Sequence, residues 1–139
     1  MEVGDRASLY ASLKAKGSTL VSLTETGKKQ LERVVDLDRM LHILKEEKII
    51  GKDTDWKKIP FYKAKPSSES EDGFKGRVGI HEVLKMTPTI RDLVMRESNS
   101  ADIEAQAKKE GMITMVEDGI FKAVSGLTTI EEVLRVVSE

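Results

Sequence analysis

Gly73-Phe-Lys-Gly76-Arg-Val-Gly79-Ile-His81-Glu-Val-Leu84 is the stretch whose reading decides the fold. Its three glycines offer positive φ or close backbone approach, so it reads as a tight turn feeding a strand that ends by Met86. Downstream, every apolar period comes with its own start and stop. Thr87-Pro88 is an N-cap followed by proline at the first helical position, with Ile90, Leu93 and Val94 on one face. A second helix spans Ala101 to Glu110 and stops at Gly111. Thr114-Met-Val-Glu117 is a capping box opening a third, with Ile120, Phe121 and Val124, which stops at Gly126. Thr128-Thr-Ile-Glu131 is another box, opening a last helix with Ile130, Val133, Leu134 and Val137.

Upstream the pattern is thinner. Lys65-Pro-Ser-Ser-Glu-Ser-Glu-Asp-Gly73 lacks any apolar residue and reads as a surface loop joining two halves. Trp56, Phe61 and Tyr62 fall within seven positions in a chain that is 4% aromatic, and predict an anchor of the first half's core. Ser22-Leu-Thr-Glu25 has capping-box spacing and predicts a helix over about Thr24 to Val35. Asp36 or Asp38 then restarts it, with Leu37, Met40, Leu41 and Leu44 on one face and a stop at Gly51. Asp5 to Ala15 is open between strand and helix, and Gly17-Ser18-Thr19 reads as a turn. The expected fold is α+β and helix-rich: a small hairpin or sheet with helices in 1–72, then the glycine-rich strand and about four short helices in 73–139.

At 139 residues the chain is the size of one domain or two small lobes sharing a core. With 23 Lys+Arg against 24 Asp+Glu it lacks the surplus of cations that nucleic-acid binding requires. No apolar run approaches the length that crosses a bilayer, and Met1-Glu-Val-Gly-Asp5 has no basic leader, so neither membrane insertion nor export is expected. Zero cysteines exclude disulfides, thiolate metal sites and a thiol nucleophile, and favour a cytoplasmic setting.

Candidate chemistry is sparse. Gly73, Gly76 and Gly79 invite a phosphate-loop reading, but they lead into a strand and no Lys-Ser or Lys-Thr follows, so a hairpin with glycines at its turn and a bulge is the better account. His81 and Glu82 point to opposite faces of a strand and cannot share a proton; Glu82 is expected to pair with Arg77 or Lys75, and His81 to be half-exposed. Ser67, Ser68 and Ser70 lack a neighbouring base. His42 reads as a packed or surface residue. Met86, Met95, Met112 and Met115 read as gap-fillers in a small core, and Glu46-Glu47 and Glu131-Glu132 as solvated helix faces. No catalytic set converges, and the residues alone point to an interaction module.

The string Gly73 to Leu84, then Ile90-Arg-Asp-Leu93, Gly111-Met112-x-Thr-Met, Glu117-Asp-Gly119 and Gly126-x-Thr-Thr-Ile-Glu-Glu-Val-Leu-Arg135, resembles the C-terminal end of the hexameric ATPases of type II secretion and type IV pilus assembly. The likeness runs almost continuously from about Phe61 to the last residues. It implies a parent in which a RecA-like motor precedes a tetra-cysteine zinc subdomain and this helical tail. Here Tyr10 and Leu13 stand in the places of the first cysteine pair, and Ser67 and Ser70 in those of the second. By that correspondence zinc is lost, through lineage or engineering; the bulk of Tyr10 and Leu13 favours a packed substitute.

No Walker A, Walker B, aspartate or histidine box precedes the resemblance, so the chain is expected neither to bind nor to hydrolyse ATP; ATP and Mg belong to the parent's motor domain. The implied partners are that motor domain, neighbouring subunits of the ring and the inner-membrane platform protein. Gly73, Phe74, Lys75, Gly76, Arg77, Gly79 and Glu82 form the structural and interface motif, with no catalytic, nucleotide or metal residue carried over. Two readings follow: an excised tail of a motor, or a stand-alone adaptor of the same ancestry that regulates the ring.

Overall fold

In a computed structural model the described residues are 2–12, 19–66, 68 and 70–138, with the backbone alone for 2–12 and 19–22. Leu13, Ser67 and the turn expected at Gly17-Ser18 lie outside the described residues. The fold is helix-rich α+β, with two two-stranded antiparallel ribbons and six helices among the described residues.

The segment left open between strand and helix is a strand, β1 (Glu2–Ser12). Its partner is β4 (Phe74–Lys85), the glycine-rich stretch. The turn before β4 therefore does not close a local hairpin. The ladder runs one for one from Glu2↔Lys85 to Tyr10↔Arg77, then slips to Ser12↔Phe74. The extra residue is on β4, where Lys75 and Gly76 face the single position Ala11, and Gly76 has φ +71°. A glycine in the left-handed region is what this kind of bulge requires, and the expected bulge is present. Burial alternates along β4: Ile80 is buried and Val78, Glu82 and Leu84 are half-buried, while Arg77, His81, Val83 and Lys85 are exposed.

The second ribbon pairs β2 (Thr19–Ser22) with β3 (Pro60–Lys63), Ser22 opposite Pro60. That pairing corrects the capping box placed at Ser22. Held extended in the ribbon, Ser22 cannot cap, and Thr24 does so by accepting the Gly27 N–H at 3.0 Å. Helix α1 (Glu25–Glu32) follows, with Leu31 fully buried, and stops short of Val35. Asp36 caps α2 (Leu37–Glu46) through the N–H groups of Asp38 and Arg39, both at 3.1 Å.

The stop expected at Gly51 comes earlier. Lys48 takes φ +56°, while Ile49 N–H donates to Leu44 O at 3.0 Å and Lys48 N–H to Lys45 O at 3.1 Å. This is a Schellman end built on a residue with a Cβ, which costs roughly 1–2 kcal/mol relative to an unstrained position. Lys48→Gly is expected to stabilise the protein by roughly 0.5–1 kcal/mol after the extra freedom of glycine in the unfolded chain is subtracted, read as a higher urea midpoint at constant slope.

In the second half α3 (Pro88–Met95), α4 (Ser100–Lys109), α5 (Met115–Val124) and α6 (Ile130–Val137) match the four expected helices. Thr87 and Thr114 cap as expected, Asn99 caps α4, and Gly111 and Gly126 sit at C′ with φ +97° and +78°. The last box is one residue out of frame. Thr129, not Thr128, caps α6 by accepting the Glu132 N–H at 3.2 Å, because Thr-Thr-x-Glu-Glu carries the spacing in two registers. Glu132, expected on a solvated face, is buried and ion-paired to Arg135 at 2.6 Å.

One hydrophobic core joins α1, α2, β3, β4, α5 and α6. Leu31, Met40, Leu44, Trp56, Ile59 and Phe61 are buried in the same cluster as Ile80, Ile120, Ala123, Ile130 and Val133. The aromatic anchor is thus buried, with Trp56 Nε1 donating to Leu37 O at 3.3 Å, but it serves a core shared by both halves. Met95 departs from the gap-filler reading: it is 77% exposed, whereas Met86, Met112 and Met115 are half-buried.

Candidate interaction site at the glycine-rich strand

The site begins in the polar loop. Ser70 Oγ lies 2.6 Å from Asp72 Oδ1 and 2.5 Å from Phe74 O, sharing one proton between them, and Phe74 N–H donates to Asp72 Oδ1 at 3.0 Å. The Ser70 hydroxyl, and next the Phe74 amide, hold the Asp72 carboxyl below the usual carboxylate range. A carboxylate with a depressed folded-state pKa stabilises above its ordinary value of 3.8, and this contribution is lost as pH falls through the lowered value. Ser70→Ala is expected to raise the Asp72 pKa toward 3.8, measurable by carboxyl carbon NMR titration.

The Asx turn brings Gly73 hard against the chain before the loop. A Cβ there would sit 2.7 Å from both N and O of Lys65, at φ +81°. Phe74 is half-buried, and Lys75, Gly76 and Arg77 are exposed around the bulge. The described members of the four proposed ligand places fall at this end of the ribbon. Tyr10 pairs with Arg77, and Ser70 touches Phe74, which pairs with Ser12.

Further along β4, helix α5 and the strand are joined at three points, two through side chains of the helix and one through a side chain of the strand. Lys122 Nζ donates to Gly79 O at 2.5 Å, Asp118 Oδ2 accepts the His81 N–H at 2.9 Å, and Glu82 Oε2 accepts the Met115 N–H at 2.9 Å. Lys122 and Asp118 also pair with each other at 2.5 Å. Backbone groups of Gly79 and His81 are thereby satisfied by a helix instead of a third strand. Glu82 corrects the expected pairing with Arg77 or Lys75. Those bases are five and seven positions along the strand, roughly 17 and 23 Å away, while the first turn of α5 offers it an N–H and the positive end of the helix. His81 is exposed, more open than the half-exposure expected.

The Glu117-Asp-Gly119 string divides into three structural tasks. Glu117, 2% exposed, accepts from Arg39 Nε at 2.9 Å and closes the capping box on Thr114 N–H at 3.2 Å. Arg39 Nη2 reaches Met112 O at 2.6 Å and Nη1 reaches Lys108 O at 3.3 Å, so one guanidinium ties α2 to the end of α4 and the start of α5. Asp118 belongs to the clasp on β4. Gly119 lets α6 approach, since a Cβ there would lie 2.8 Å from Val133 Cγ1. Sequence reasoning missed Arg39 and Lys122, and quoted Asp118 within a string without giving it a role. Of these only the i,i+4 spacing of Asp118 and Lys122 left a local trace.

Among the described residues no three of His, Asp and Glu cluster as metal ligands, and no helix is long and apolar enough to cross a membrane. The arrangement is a hydrogen-bonded scaffold that exposes Lys75, Gly76 and Arg77 beside a structured loop.

A family model described as type II/IV secretion system protein matches residues 18–135. The chain is 46% identical over 69 residues to the type IV pilus assembly ATPase PilB of Pseudomonas aeruginosa, covering 50% of this chain and 12% of that protein. It is 44% identical over 81 residues to type II secretion system protein E of Xanthomonas campestris, covering 58% of this chain and 14% of the relative. With PilB of Thermus thermophilus it shares 44% over 62 residues, 45% of this chain and 7% of the relative. Each match thus spans a small fraction of the relative's length. With a family match that runs from β2 into α6 and covers most of its length, the chain belongs to the type II/IV secretion system protein family.

Proposed function

We propose that the chain is the non-catalytic C-terminal region of a hexameric type II secretion or type IV pilus assembly ATPase. In this role it supplies scaffold and contact surface to the motor, to neighbouring subunits and to the inner-membrane platform protein, on the cytoplasmic side. The observation that carries the reading is the family match over 18–135 in a sequence without a Gly-x-x-x-x-Gly-Lys-Ser/Thr loop. The uses found for the glycines support it. Gly73 and Gly76 serve a close backbone approach and a bulge, and the motif enters a strand instead of a helix whose N-terminus could hold phosphate. ATP and Mg then belong to the motor domain of the parent protein. The chain itself takes neither nucleotide nor zinc, and it does not bind nucleic acid or insert in the membrane.

The isolated chain tests this directly. It is expected to show no ATP hydrolysis and no retention of a fluorescent ATP analogue with Mg, and to refold unchanged in the presence of a zinc chelator. Nucleotide turnover that copurifies with the folded chain, or a fold lost on chelation, would overturn the reading. Blotting source-cell lysate with an antibody to this domain separates the tail from an adaptor. A band several-fold heavier than the chain supports the tail, and a band at its own mass supports the adaptor.

A further inference from the structure

A groove lies open between α1 and α6, with β3 at one end. Two hollows of about 300 and 450 Å³ meet at Gln30, Glu131 and Leu134. The apolar lining is continuous: Leu23, Phe61 and Ile130 in the first hollow, Leu134 where the two meet, and Val34, 38% exposed, in the second. The walls repeat once per helical turn, through Gly27, Gln30 and Val34 along α1 and the turn after it, and through Ile130, Leu134 and Ser138 along α6 and its cap. That stretch of α6 rises about 12 Å, so the groove accepts about two turns of a third helix, with one apolar side chain in each hollow.

The rim carries its charges in order. Lys63 lines only the first hollow, Glu131 lines both, and Arg33 and Arg135 line only the second. Arg135 is held by Glu132 at 2.6 Å, so that pair adds little net charge. Arg33, Lys63 and Glu131 are exposed, and among the described residues none of the three has an ion-pair partner. From end to end the rim therefore reads cation, carboxylate, cation above an apolar floor. We propose that the groove docks an amphipathic helix of a partner protein whose charges run in the complementary order, a carboxylate at each end and a cation between, with two apolar side chains one turn apart. The apolar pair supplies contact area and the charge order supplies specificity, because the same pair flanked by lysines sets like charges against Lys63 and Arg33. The inference goes beyond the family reading and holds for a motor's tail and for a free adaptor alike.

The test uses two fluorescein-labelled, end-capped helical peptides that differ only in sign. Each carries two leucines one turn apart; in one, glutamates flank the leucines with a lysine between them, and in the other all three charges are reversed. Anisotropy is read against the whole chain up to about 1 mM, because a contact of this size is weak. The acidic-ended peptide is expected to bind about tenfold more tightly than its reverse, and to weaken as salt is added. L134S is expected to weaken it by about tenfold or more. Because Leu134 is half-buried, the decisive variant is R33E/K63E, which changes only exposed side chains and is expected to invert the preference in favour of the basic-ended peptide. Equal binding of the two peptides, binding of neither, or a preference that survives R33E/K63E would each overturn the proposal. So would a mass that rises with concentration in sedimentation equilibrium and is lost in L134S, which would make a second copy the occupant. None of these outcomes bears on the nucleotide test.

Discussion

Arg39→Ala is expected to destabilise the protein by about 3–5 kcal/mol, the cost of leaving a buried carboxylate without its counter-ion. Glu117 is 2% exposed, and its charge is met by Arg39 Nε at 2.9 Å, with Nη2 at 3.4 Å from the second oxygen. Removing the guanidinium also strands the Met112 and Lys108 carbonyls that it caps. For a domain whose total stability is about 5–15 kcal/mol, such a loss takes roughly a fifth or more. The charge is the larger part of the effect, which a second substitution isolates. Glu117→Gln keeps an acceptor for the Thr114 N–H but no charge, so Arg39→Ala combined with Glu117→Gln should be more stable than Arg39→Ala alone. Urea unfolding of the four proteins gives the coupling. A double variant no more stable than the single one would show that lost packing, not a stranded charge, governs this site.

Gly73→Ala is the second large effect. The added methyl would sit 2.7–2.8 Å from backbone N, C and O of Lys65, at φ +81°. Left-handed backbone costs a residue with a Cβ roughly 1–2 kcal/mol, and forcing atoms into a closed contact about 1–3 more, for a loss of about 3 kcal/mol. Gly76 is the internal control. Its φ is +71°, but a methyl added there would meet nothing within 4 Å, so Gly76→Ala should cost only about 1 kcal/mol. Unfolding midpoints of the two variants read the difference. Equal losses would contradict the close approach of Lys65 to Gly73.

The helices of the second half are legible because caps are local. Thr87, Thr114, Gly111 and Gly126 each carry their instruction within a few residues, and each acts as expected. Where the device is present but its usual residue is not, sequence reading fails. Lys48 and Glu97 both take φ +56° and end helices, yet neither residue type advertises a left-handed position. Strand β1 is undetermined from sequence for a different reason: its partner lies about seventy positions away, and no local pattern encodes a pairing such as Ala7↔Ile80. At Gly73 and Gly76 the turn and the bulge read correctly but the hairpin does not, since the strand pairs with β1, and Glu82 is matched by proximity to bases near it in sequence when its partner is a backbone amide on α5. Arg39 and Glu117 stand 78 positions apart and leave no trace that a sequence pattern could expose.

The pairing of β1 with β4 also sets a schedule for synthesis. The ladder joins Glu2 to Lys85, so the first strand leaves the ribosome long before its complement exists. At roughly 5–20 residues per second, β1 waits about 4–16 s with both edges unpaired. During that interval its open backbone groups are available to any other nascent strand, and the ribbon cannot form until the loop carrying Gly73 has emerged.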